Sequence, residues 1–386
     1  MKIEESVKKL ETQIKIDKDF LWNHPEGGNK ELKTSQYISE RLKEMGYQVK
    51  SNIGTTGILA QVEGKQEGPC VLFRSELDAL EMDTNGRMKH TCGHDAHMTV
   101  LLALAKLIME NKENLKGTIK LAFEPAEETT GGAKMLIEEG VLENPKVDYI
   151  FGIHIWSELK KGTVGIKSGS VMASTDPFDI TVYGKEGHGA LPERCIDPVY
   201  IASSIVTSLQ SIVGRNISPL ETATVGITSI QGGNNNNLIP EKVEMKGICR
   251  TYSNEIREYV KTRIEQIATN IAKSMNGSAE VEFKSYNLPP VINHEETTKL
   301  VKEVASHVLE KENIIENYQT MCSDDMAYFL QERPGTFVFV GCTDKEYHPQ
   351  HSENFFVDTE TMLNGTQLLY EIVKKTNLID INSLLK

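Results

Sequence analysis

Cysteine is scarce in this sequence, and long apolar runs are missing from it. Six cysteines stand among 386 residues, at positions 70, 92, 195, 249, 322 and 342, and no two of them form a C-x-x-C pair. This number and spacing exclude a disulfide framework. The longest apolar stretch, near Val100–Met109, is broken by Lys106 and is far shorter than the roughly 20 residues that a membrane-spanning helix needs. The first residues, MKIEESVKKLETQIK, lack the apolar segment of a signal peptide. We therefore expect a soluble, cytoplasmic protein with no membrane partner.

Positive charge is also in deficit. Lys and Arg total 42 against 55 for Asp and Glu, which gives a net charge of −13. A surface this acidic repels the phosphate backbone of nucleic acids, so we expect no nucleic-acid partner. The sequence contains no G-x-S-x-G, Walker A, G-x-G-x-x-G or H-E-x-x-H motif. Serine-hydrolase, nucleotide-binding and thermolysin-like functions therefore lose their main support in the sequence.

What is present is the composition of an ordinary globular protein, with 39% hydrophobic and 25% charged residues. At about 150 residues per domain, the length predicts two or three domains. Strand-like runs such as PCVLFRSEL, TIKLAFE and VDYIFGIHIW alternate with helical segments in the first half of the chain. This alternation predicts an α/β domain built on a largely parallel, doubly wound sheet.

The pattern changes near Asp179. The run FDITVYGKEGHG has the character of an edge strand. It begins the order β-α-β-β-α-β, which is typical of a ferredoxin-like α+β sandwich with four antiparallel strands and two helices. After Pro289 and Pro290 the earlier pattern returns. The sequence therefore predicts a discontinuous catalytic domain, residues 1–178 plus 289–386, with residues 179–288 inserted as a second domain.

The segment CGHDAH, residues 92–97, concentrates four potential metal ligands in six residues. It follows a strand and precedes a strongly apolar helix, and sites in open α/β sheets form at the carboxyl ends of strands. Thiolate and imidazole groups together suit zinc or a similar metal. The alternative is that Asp95 caps the helix while the two histidines lie on the surface.

Three further candidate positions also lie in strands or follow them. Glu127 and Glu128 come after TIKLAF, where one carboxylate can bind metal while the other acts as general base, or where both form a solvated acidic turn. His154 lies in the apolar run FGIHIW, where a core histidine without function is the alternative. His351 follows TFVFVGC and has His348 as a neighbour that could be mistaken for it. The recurrence of ligand-type residues at strand ends favours a metal site.

The inserted segment carries three more candidates. His188 stands between two glycines, and Asn237 ends a loop rich in glycine and asparagine. Arg250 could bind a carboxylate through two guanidinium nitrogens. On these residues alone, an ordinary exposed turn is the alternative for His188, and a solvated arginine at a strand end is the alternative for Arg250.

Taken in order, several motifs resemble one metallopeptidase family along nearly the whole chain: RSELDAL, MKHTCGHDAHM, FEPAEE, GIHIW, GKEGHGALPE, NLIPEKVEMKGICRTY, SDDMAYFL and HPQHSENF. It is the family of aminoacylase, carboxypeptidase G and peptidase T. The most similar branch contains hippurate hydrolases, auxin-conjugate hydrolases, N-acetyl-diaminopimelate deacetylases and an archaeal broad-range carboxypeptidase. The resemblance implies a phosphorylase/hydrolase-like catalytic domain with an inserted lid and dimerisation domain.

The resemblance also implies a role for each candidate residue. Two divalent metal ions, zinc or manganese with cobalt or nickel as alternatives, would be bound by Cys92, His94, Glu128, His154 and His351. Glu127 would be the general base, and Asp78 would hold a metal ligand in orientation. His188 would stabilise the oxyanion, often from the partner subunit. Asn237 and Arg250 would bind the substrate carboxylate.

The implied reaction is the metal-dependent hydrolysis of N-acyl-L-amino acids, with a metallocarboxypeptidase acting on short or N-blocked peptides as the alternative. The resemblance also implies a homodimer or homotetramer assembled through the inserted domain. A metal-binding protein without catalysis, or a purely structural dimer on the same scaffold, stays open. Several positions depart from the branch: Ser75 and Glu76 replace its usual alanine and aspartate, Glu81 its usual proline and Glu124 its usual glutamine.

Overall fold

The computed structural model describes residues 1–378. Within them the backbone forms ten α-helices: α1 (Glu5–Lys8), α2 (Glu11–Asn23), α3 (Leu32–Met45), α4 (His94–Glu110), α5 (Gly132–Glu138), α6 (Pro198–Ser211), α7 (Asn254–Ser274), α8 (Glu295–Val308), α9 (Met326–Glu332) and α10 (Thr359–Leu378). Among these residues, no helix combines the length and the apolar character that crossing a membrane requires.

The same residues form eighteen strands: β1 (Gln48–Ile53), β2 (Gly57–Glu63), β3 (Gln66–Glu76), β4 (Leu80–Glu81), β5 (Met88–Lys89), β6 (Lys116–Glu124), β7 (Tyr149–Lys160), β8 (Val164–Ile166), β9 (Gly169–Met172), β10 (Asp176–Tyr183), β11 (Gly187–His188), β12 (Ala223–Gln231), β13 (Leu238–Ile239), β14 (Lys242–Thr251), β15 (Ser278–Phe283), β16 (Val291–Asn293), β17 (Ile314–Glu316) and β18 (Gly335–Thr343).

These elements divide into two compact units. The first consists of Met1–Val171, Ile292–Gln319 and the described chain from Asp324 onward, and the second consists of Met172–Val291 and Thr320–Ser323. The sequence predicted the inserted segment at 179–288 and did not include Thr320–Ser323, because a short stretch so far along the chain carries no local sign of its grouping. The role of the second unit as a lid or dimerisation domain stays a prediction.

An eight-stranded sheet forms the centre of the first unit, in the order β1-β2-β6-β3-β7-β18-β8-β17. The middle strands β6, β3, β7 and β18 run parallel to one another. The pairs β1–β2, β2–β6 and β8–β18 are antiparallel. The α/β class is therefore confirmed, but the sheet is mixed. The turn between β1 and β2 is short, and a connection of this length joins antiparallel neighbours because a parallel pair needs a long crossover.

Helix α4 lies in the core of the first unit. The apolar run from Met98 to Ile108 explains why α4 is buried along almost its whole length. The helix lies against α2, α3 and α10 and against strand β3. This packing fixes the N-terminal end of α4, where Cys92 and His94 stand, inside the protein.

The second unit has a four-stranded antiparallel sheet in the order β12-β14-β10-β15, together with α6 and α7. The elements follow one another in the predicted order β-α-β-β-α-β. Asp197 caps α6 by accepting from two backbone N–H groups, and Pro198 occupies the first helical position, where its missing N–H costs nothing. Ser253 caps α7 by accepting from the backbone N–H of Ile256.

One strand prediction in this unit was wrong. The run at residues 178–189 had the character of an edge strand, but β10 pairs with β14 on one side and with β15 on the other. Buried and less buried residues alternate along β10. Such alternation reports the two faces of a strand and not the number of its neighbours, so the sequence could not decide this point.

Candidate metal centre

The predicted ligands meet at one edge of the central sheet, where its parallel strands end. Asp78 follows the end of β3, and Glu127 and Glu128 follow the end of β6. His154 lies in β7 beyond the residues that pair with β3, and His351 lies in the loop after β18. Because the carboxyl ends of parallel neighbours share one edge, segments far apart in the sequence deliver these side chains to one place.

All five predicted ligands lie close enough to share metal ions. Three overlapping groups each bring one donor atom per residue within 4.8 Å of the others: Cys92 with His94 and His154, Cys92 with Glu128 and His351, and His94 with Glu127 and Glu128. The predicted general base Glu127 therefore belongs to the same cluster as the ligands, and Cys92 belongs to two of the three groups.

Asp78 orients two of the ligands. The Nδ1–H of His94 donates to the backbone oxygen of Asp78 at 2.9 Å and to its Oδ1 at 3.2 Å. The other carboxylate oxygen of Asp78 accepts from the backbone N–H of Glu128 at 3.0 Å. The remaining ring nitrogen of His94, Nε2, is buried and has no hydrogen-bond partner among the described residues. A buried nitrogen of this kind is costly unless something binds it, so its lone pair fits a metal ion.

His154 has the same tautomer as His94. Its Nδ1–H donates to the backbone oxygen of Ile155 at 2.9 Å, and its Nε2 lies 3.5 Å from the Sγ of Cys92. The side chain is buried, as a core histidine without function would be. However, its Nε2 lone pair faces the cluster and not the apolar interior, which is the arrangement of a metal-binding imidazole.

His97 forms a further donor group with Glu76 and His94, but hydrogen bonds within the protein already use its ring. Its Nδ1–H donates to the carboxylate of Glu76 at 2.9 Å, and its Nε2 accepts from the backbone N–H of Ile155 at 2.9 Å. Both ring nitrogens are therefore occupied within the protein. His97 instead ties Glu76, at the end of β3, to the strand that carries His154.

The alternative for segment 92–97, in which Asp95 caps α4 and two histidines lie on the surface, is wrong. The cap residue of α4 is Gly93. Asp95 is buried and forms an ion pair with Lys18. Both histidines, His94 and His97, are buried as well.

His351 is the most open of the predicted ligands, with 55% of its side chain accessible. Its Nε2 lies 3.2 Å from Oε1 of Glu128, and its backbone N–H donates to the backbone oxygen of Thr91 at 2.8 Å. The neighbouring His348 lies 3.6 Å from Glu346 and belongs to no donor group among the described residues. The structure thus separates two histidines that the sequence leaves easy to confuse.

The electrostatics of the cluster favour a cation. Burial alone would lower the pKa of His94, but its hydrogen bond to Asp78 and the surrounding carboxylates raise that pKa to about 10. Burial, followed by the charges of Glu128 and Asp324, raises the pKa of Glu127 well above its ordinary value. Both shifts express a shortage of positive charge, which divalent ions would supply. With a thiol, imidazoles and carboxylates as donors, these residues fit a site for borderline divalent metals.

A buried arginine, not singled out from the sequence, neutralises part of this acidity. Arg74 contacts the carboxylates of Glu76, Glu124, Asp324 and Asp325, and its side chain is fully buried. Burial, with the charges of Glu76 and Asp325, outweighs Arg74 and raises the pKa of Asp324 to about 7. Burial, followed by the charge of Glu124, raises the pKa of Asp325 well above its ordinary value. Since Arg74 and Asp324 are 250 residues apart, no local pattern could have predicted their contact.

Two of the departures from the related branch, Glu76 and Glu124, have a place in this network. Burial would raise the pKa of Glu76, but Arg74 and His97 hold it well below its ordinary value, so Glu76 is ionised and orients His97. Glu124 accepts from Nε of Arg74 at 2.6 Å, while its burial raises its pKa. The extra carboxylate beside Glu127 is therefore paired with an arginine.

In the second unit, His188 and Asn237 are neighbours. Strand β11 pairs with β13, which sets His188 opposite Leu238, the residue after Asn237. The Nδ1 of His188 accepts from the backbone N–H of Ala190 at 3.0 Å. This contact leaves the proton on Nε2, so His188 presents an N–H donor from an exposed side chain.

Arg250 lies near the end of β14 and is partly exposed. Its Nη1 donates to the backbone oxygen of Met321 at 2.9 Å. Met321 belongs to the short stretch Thr320–Ser323 that joins the second unit. The same Nη1 also lies 3.5 Å from the hydroxyl of Ser323. A guanidinium has five N–H donors on three nitrogens, so these contacts of one nitrogen leave the donors of the other two for a carboxylate.

Comparison with known proteins agrees with this chemistry. The sequence model of peptidase family M20/M25/M40 matches residues 72–375. An N-acetyl-L-cysteine deacetylase of Bacillus subtilis (strain 168) is 36% identical over 382 residues, which cover 97% of this chain and 90% of the relative. Thermostable carboxypeptidase 1 of Saccharolobus solfataricus is 33% identical over 379 residues, which cover 94% of this chain and 95% of that one. A solved structure from Bacillus subtilis, of a dinuclear metal-binding peptidase of the M20 family, is 31% identical with a TM-score of 0.82 and covers 95% of this chain and 98% of its own.

Proposed function

Because this chain belongs to peptidase family M20/M25/M40, a family of metal-dependent amidohydrolases and peptidases, we propose that it hydrolyses the amide bond of N-acyl-L-amino acids. The observation that carries the proposal is the convergence of Glu127 with the five ligand-type side chains in one cluster. Adjacent carboxylates can divide the work there, with Glu128 among the ligand atoms and Glu127 as the general base.

We expect two divalent ions, zinc or manganese with cobalt or nickel as alternatives, bound by Cys92, His94, Glu128, His154 and His351. Cys92 belongs to two donor groups, so its thiolate would be within reach of ions held by either group. Burial and the charges of Glu128 and Glu127 raise the pKa of the Cys92 thiol, so the thiolate would depend on bound metal. An oxidisable thiolate fits a reducing compartment such as the cytoplasm.

In the proposed reaction, divalent ions held by these residues would supply a water of lowered pKa and a Lewis acid for the amide carbonyl. Glu127 accepts the proton of the attacking water and delivers it to the leaving amine. His188 stabilises the oxyanion through its Nε2–H. Asn237 and Arg250 hold the α-carboxylate of the substrate, Arg250 through charge-assisted hydrogen bonds.

We further propose that residues 179–288 act as the lid and dimerisation domain of a homodimer or homotetramer. Support comes from apolar side chains that the second unit exposes, Val199 and Tyr200 at the start of α6 and Ile230 on the edge strand β12. Apolar groups beside an open sheet edge favour burial in an interface. Light scattering on the purified chain tests this, and a monomer at micromolar concentration would contradict it.

A metallocarboxypeptidase on short or N-blocked peptides is the second candidate. Both reactions cleave an amide beside a free α-carboxylate, so the same residues serve either, and the relatives include one named deacetylase and one named carboxypeptidase. A panel of N-acetyl amino acids, N-benzoyl amino acids and dipeptides, assayed on metal-free enzyme reloaded with each ion, separates them. A higher kcat/KM for dipeptides would transfer the proposal to the second candidate.

Replacement of the general base tests the proposed reaction. Glu127→Ala and the isosteric Glu127→Gln should lower kcat by about 10²–10⁴-fold, because each removes the group that moves the proton. Metal content, measured by elemental analysis, should stay at the wild-type level. The control Glu138→Gln changes an exposed glutamate of the same unit, 66% accessible, and should leave both values unchanged. Near-normal turnover in Glu127→Gln would sink the proposal, and a wild-type chain without bound metal would favour a purely structural protein.

A further inference from the structure

Ile155, the residue after His154, has both of its backbone polar groups occupied by side chains. Its carbonyl oxygen accepts from Nδ1–H of His154 at 2.9 Å and from the Nε2–H of Gln350 at 3.1 Å. Its N–H donates to Nε2 of His97 at 2.9 Å. The carbonyl that fixes the tautomer of one predicted ligand is therefore shared with the residue immediately before another, His351.

The other end of the Gln350 amide is bound as well. Its Oε1 accepts from the hydroxyl of Ser157 and from the backbone N–H of Ser157 at 3.3 Å. Gln350 thus spans two positions along β7 with one donor and one acceptor. A glutamine provides both at a fixed separation, whereas a glutamate would place an acceptor against the Ile155 carbonyl and a methionine would offer neither.

Different contacts hold the far side of the same loop. Arg87 donates to the carboxylate of Glu353 through two nitrogens, at 2.7 and 2.8 Å, and the backbone N–H of His351 donates to Thr91. These contacts join the loop to the segment that contains β5, while Gln350 joins it to β7. The Arg87–Glu353 pair is about half exposed, so water and salt weaken it, whereas Gln350 is partly buried.

We propose that Gln350 is a positioning residue that couples the two halves of the metal centre. It fixes the loop of His351 on β7, and through Ile155 it also holds the acceptor that keeps the Nε2 lone pair of His154 directed at the cluster. This inference rests on the proposed function, which makes His154 and His351 metal ligands. It assigns Gln350 no contact with substrate.

The test uses Gln350→Met, which keeps the shape and removes all three hydrogen bonds of the amide, and Gln350→Glu, which keeps the acceptor and removes the donor. Metal affinity is measured by chelator competition on the full chain loaded with zinc. Loss of outer hydrogen bonds to metal-binding residues typically weakens affinity by about 10–100-fold. We expect a loss of that size for one zinc ion in Gln350→Met, a smaller loss in Gln350→Glu, and a changed thiolate-to-metal absorption band after cobalt substitution.

Gln367→Met is the matched control. Gln367 is fully buried in the same unit, accepts from the backbone N–H of Glu4 at 2.7 Å and donates to Glu371 at 2.8 Å. It bridges two segments as Gln350 does but touches no predicted ligand. Gln367→Met should lower the melting temperature without changing either zinc affinity. Zinc affinities within twofold of wild type in Gln350→Met, or an equal loss in the control, would overturn the proposal.

Hydrogen exchange on the metal-free protein separates this inference from the proposed function. Faster exchange of backbone amides over residues 347–356 in Gln350→Met than in wild type and in Gln367→Met supports the positioning role. Equal exchange contradicts it. If the wild-type chain binds no metal, the proposed function fails, yet the exchange comparison still decides whether Gln350 fixes this loop. Ser157→Ala, which removes the hydroxyl donor to Oε1, serves if Gln350→Met does not fold.

Discussion

The metal cluster of the first unit and the candidate residues of the second differ in how firmly their own surroundings hold them. His94 and His154 are buried, and each has its Nδ1–H tied to a fixed acceptor. His188 and Asn237 are exposed, with His188 on the short strand β11 and Asn237 immediately before its partner β13. Metal ligands must present a free lone pair before an ion arrives, whereas groups that meet a substrate must stay accessible. The contrast is the one expected if the first group binds metal and the second contacts substrate, as we propose.

The interiors of the two units differ in how completely their buried charges are compensated. In the second unit, Arg257 pairs with Asp176 at 2.7 and 2.8 Å in a core that is otherwise largely apolar. In the first, Arg74 faces more carboxylates than it can neutralise. Buried charges without full compensation cost stability. We expect that the first unit is less stable for this reason, and that the same excess of carboxylates lets it bind cations. We also expect changes in the second unit to affect catalysis without affecting the fold of the first.

The largest expected effect tests whether the second unit acts in catalysis without taking part in metal binding, and it concerns His188. His188→Ala should lower kcat by about 10²–10³-fold, because it removes one donor to the oxyanion. Metal content and melting temperature should match wild type, since the side chain is exposed. His307→Ala, at an exposed histidine on α8, is the control and should keep full activity. A lost metal ion in His188→Ala would show that the second unit takes part in metal binding after all.

The same variant, mixed with a second one, tests whether His188 acts on the site of its own chain or on that of a partner subunit. If His188 acts on the site of a partner subunit, mixing inactive His188→Ala and Glu127→Ala chains under exchange conditions should restore part of the activity. One mixed site then has both an intact Glu127 and an intact His188. Activity that stays at the level of the parent variants, despite proven mixed dimers, would place His188 in the service of its own chain.

A smaller effect is expected in the first unit from Asp78→Asn. The amide can still accept from His94, but its NH₂ group would face the backbone N–H of Glu128, which now donates to Asp78 at 3.0 Å. Metal affinity should fall by about 10–100-fold, and kcat should fall with it. Asp148→Asn is the control, because Asp148 likewise accepts from a backbone N–H, that of Cys70 at 2.8 Å. Equal metal affinity in the two variants would contradict the orienting role of Asp78.

The smallest effect concerns pH. Burial, with the charges of Glu76 and Asp325, raises the pKa of Asp324 from 3.8 to about 7. The folded chain therefore binds this proton more tightly than the unfolded chain. Protonated Asp324 therefore contributes to the free energy of unfolding. This contribution is fully present below about pH 4 and is lost as the pH rises through about 7. In metal-free protein, the melting temperatures of wild type and Asp324→Asn should separate progressively between these values, with wild type falling more steeply. Melting temperatures that change in parallel with pH would show that protonation of Asp324 does not affect stability.

Much of the candidate site was accessible from the sequence because its residues stand in short segments of unusual chemistry. The run at 92–97 and the pair Glu127 and Glu128 indicated potential metal ligands. Every predicted ligand belongs to at least one of the donor groups in the structure. His154 was harder, since a histidine in an apolar strand is usually a core residue. The resemblance to a known family, not its local pattern, distinguished His351 from His348.

The sequence did not lead to the residues that hold those groups in place. Gln350 and His97 act through backbone atoms of β7, and Arg74 meets Asp324 across 250 positions of the chain. Such contacts depend on which strands become neighbours in the sheet. The central position of β10 in the second unit could not be predicted for the same reason, because strand neighbours leave no mark on the periodicity of the strand itself.

The sequence by itself determined the inventory of this protein: an α/β chain with an α+β insertion, and thiol, imidazole and carboxylate groups at strand ends. Only the tertiary structure decided which imidazole nitrogens remain free. It left Nε2 of His94 buried with no hydrogen-bond partner among the described residues, and it gave both nitrogens of His97 to Glu76 and Ile155. The reason is physical, because a side chain's tautomer and pKa depend on its hydrogen-bond partners and its burial, and distant segments supply both.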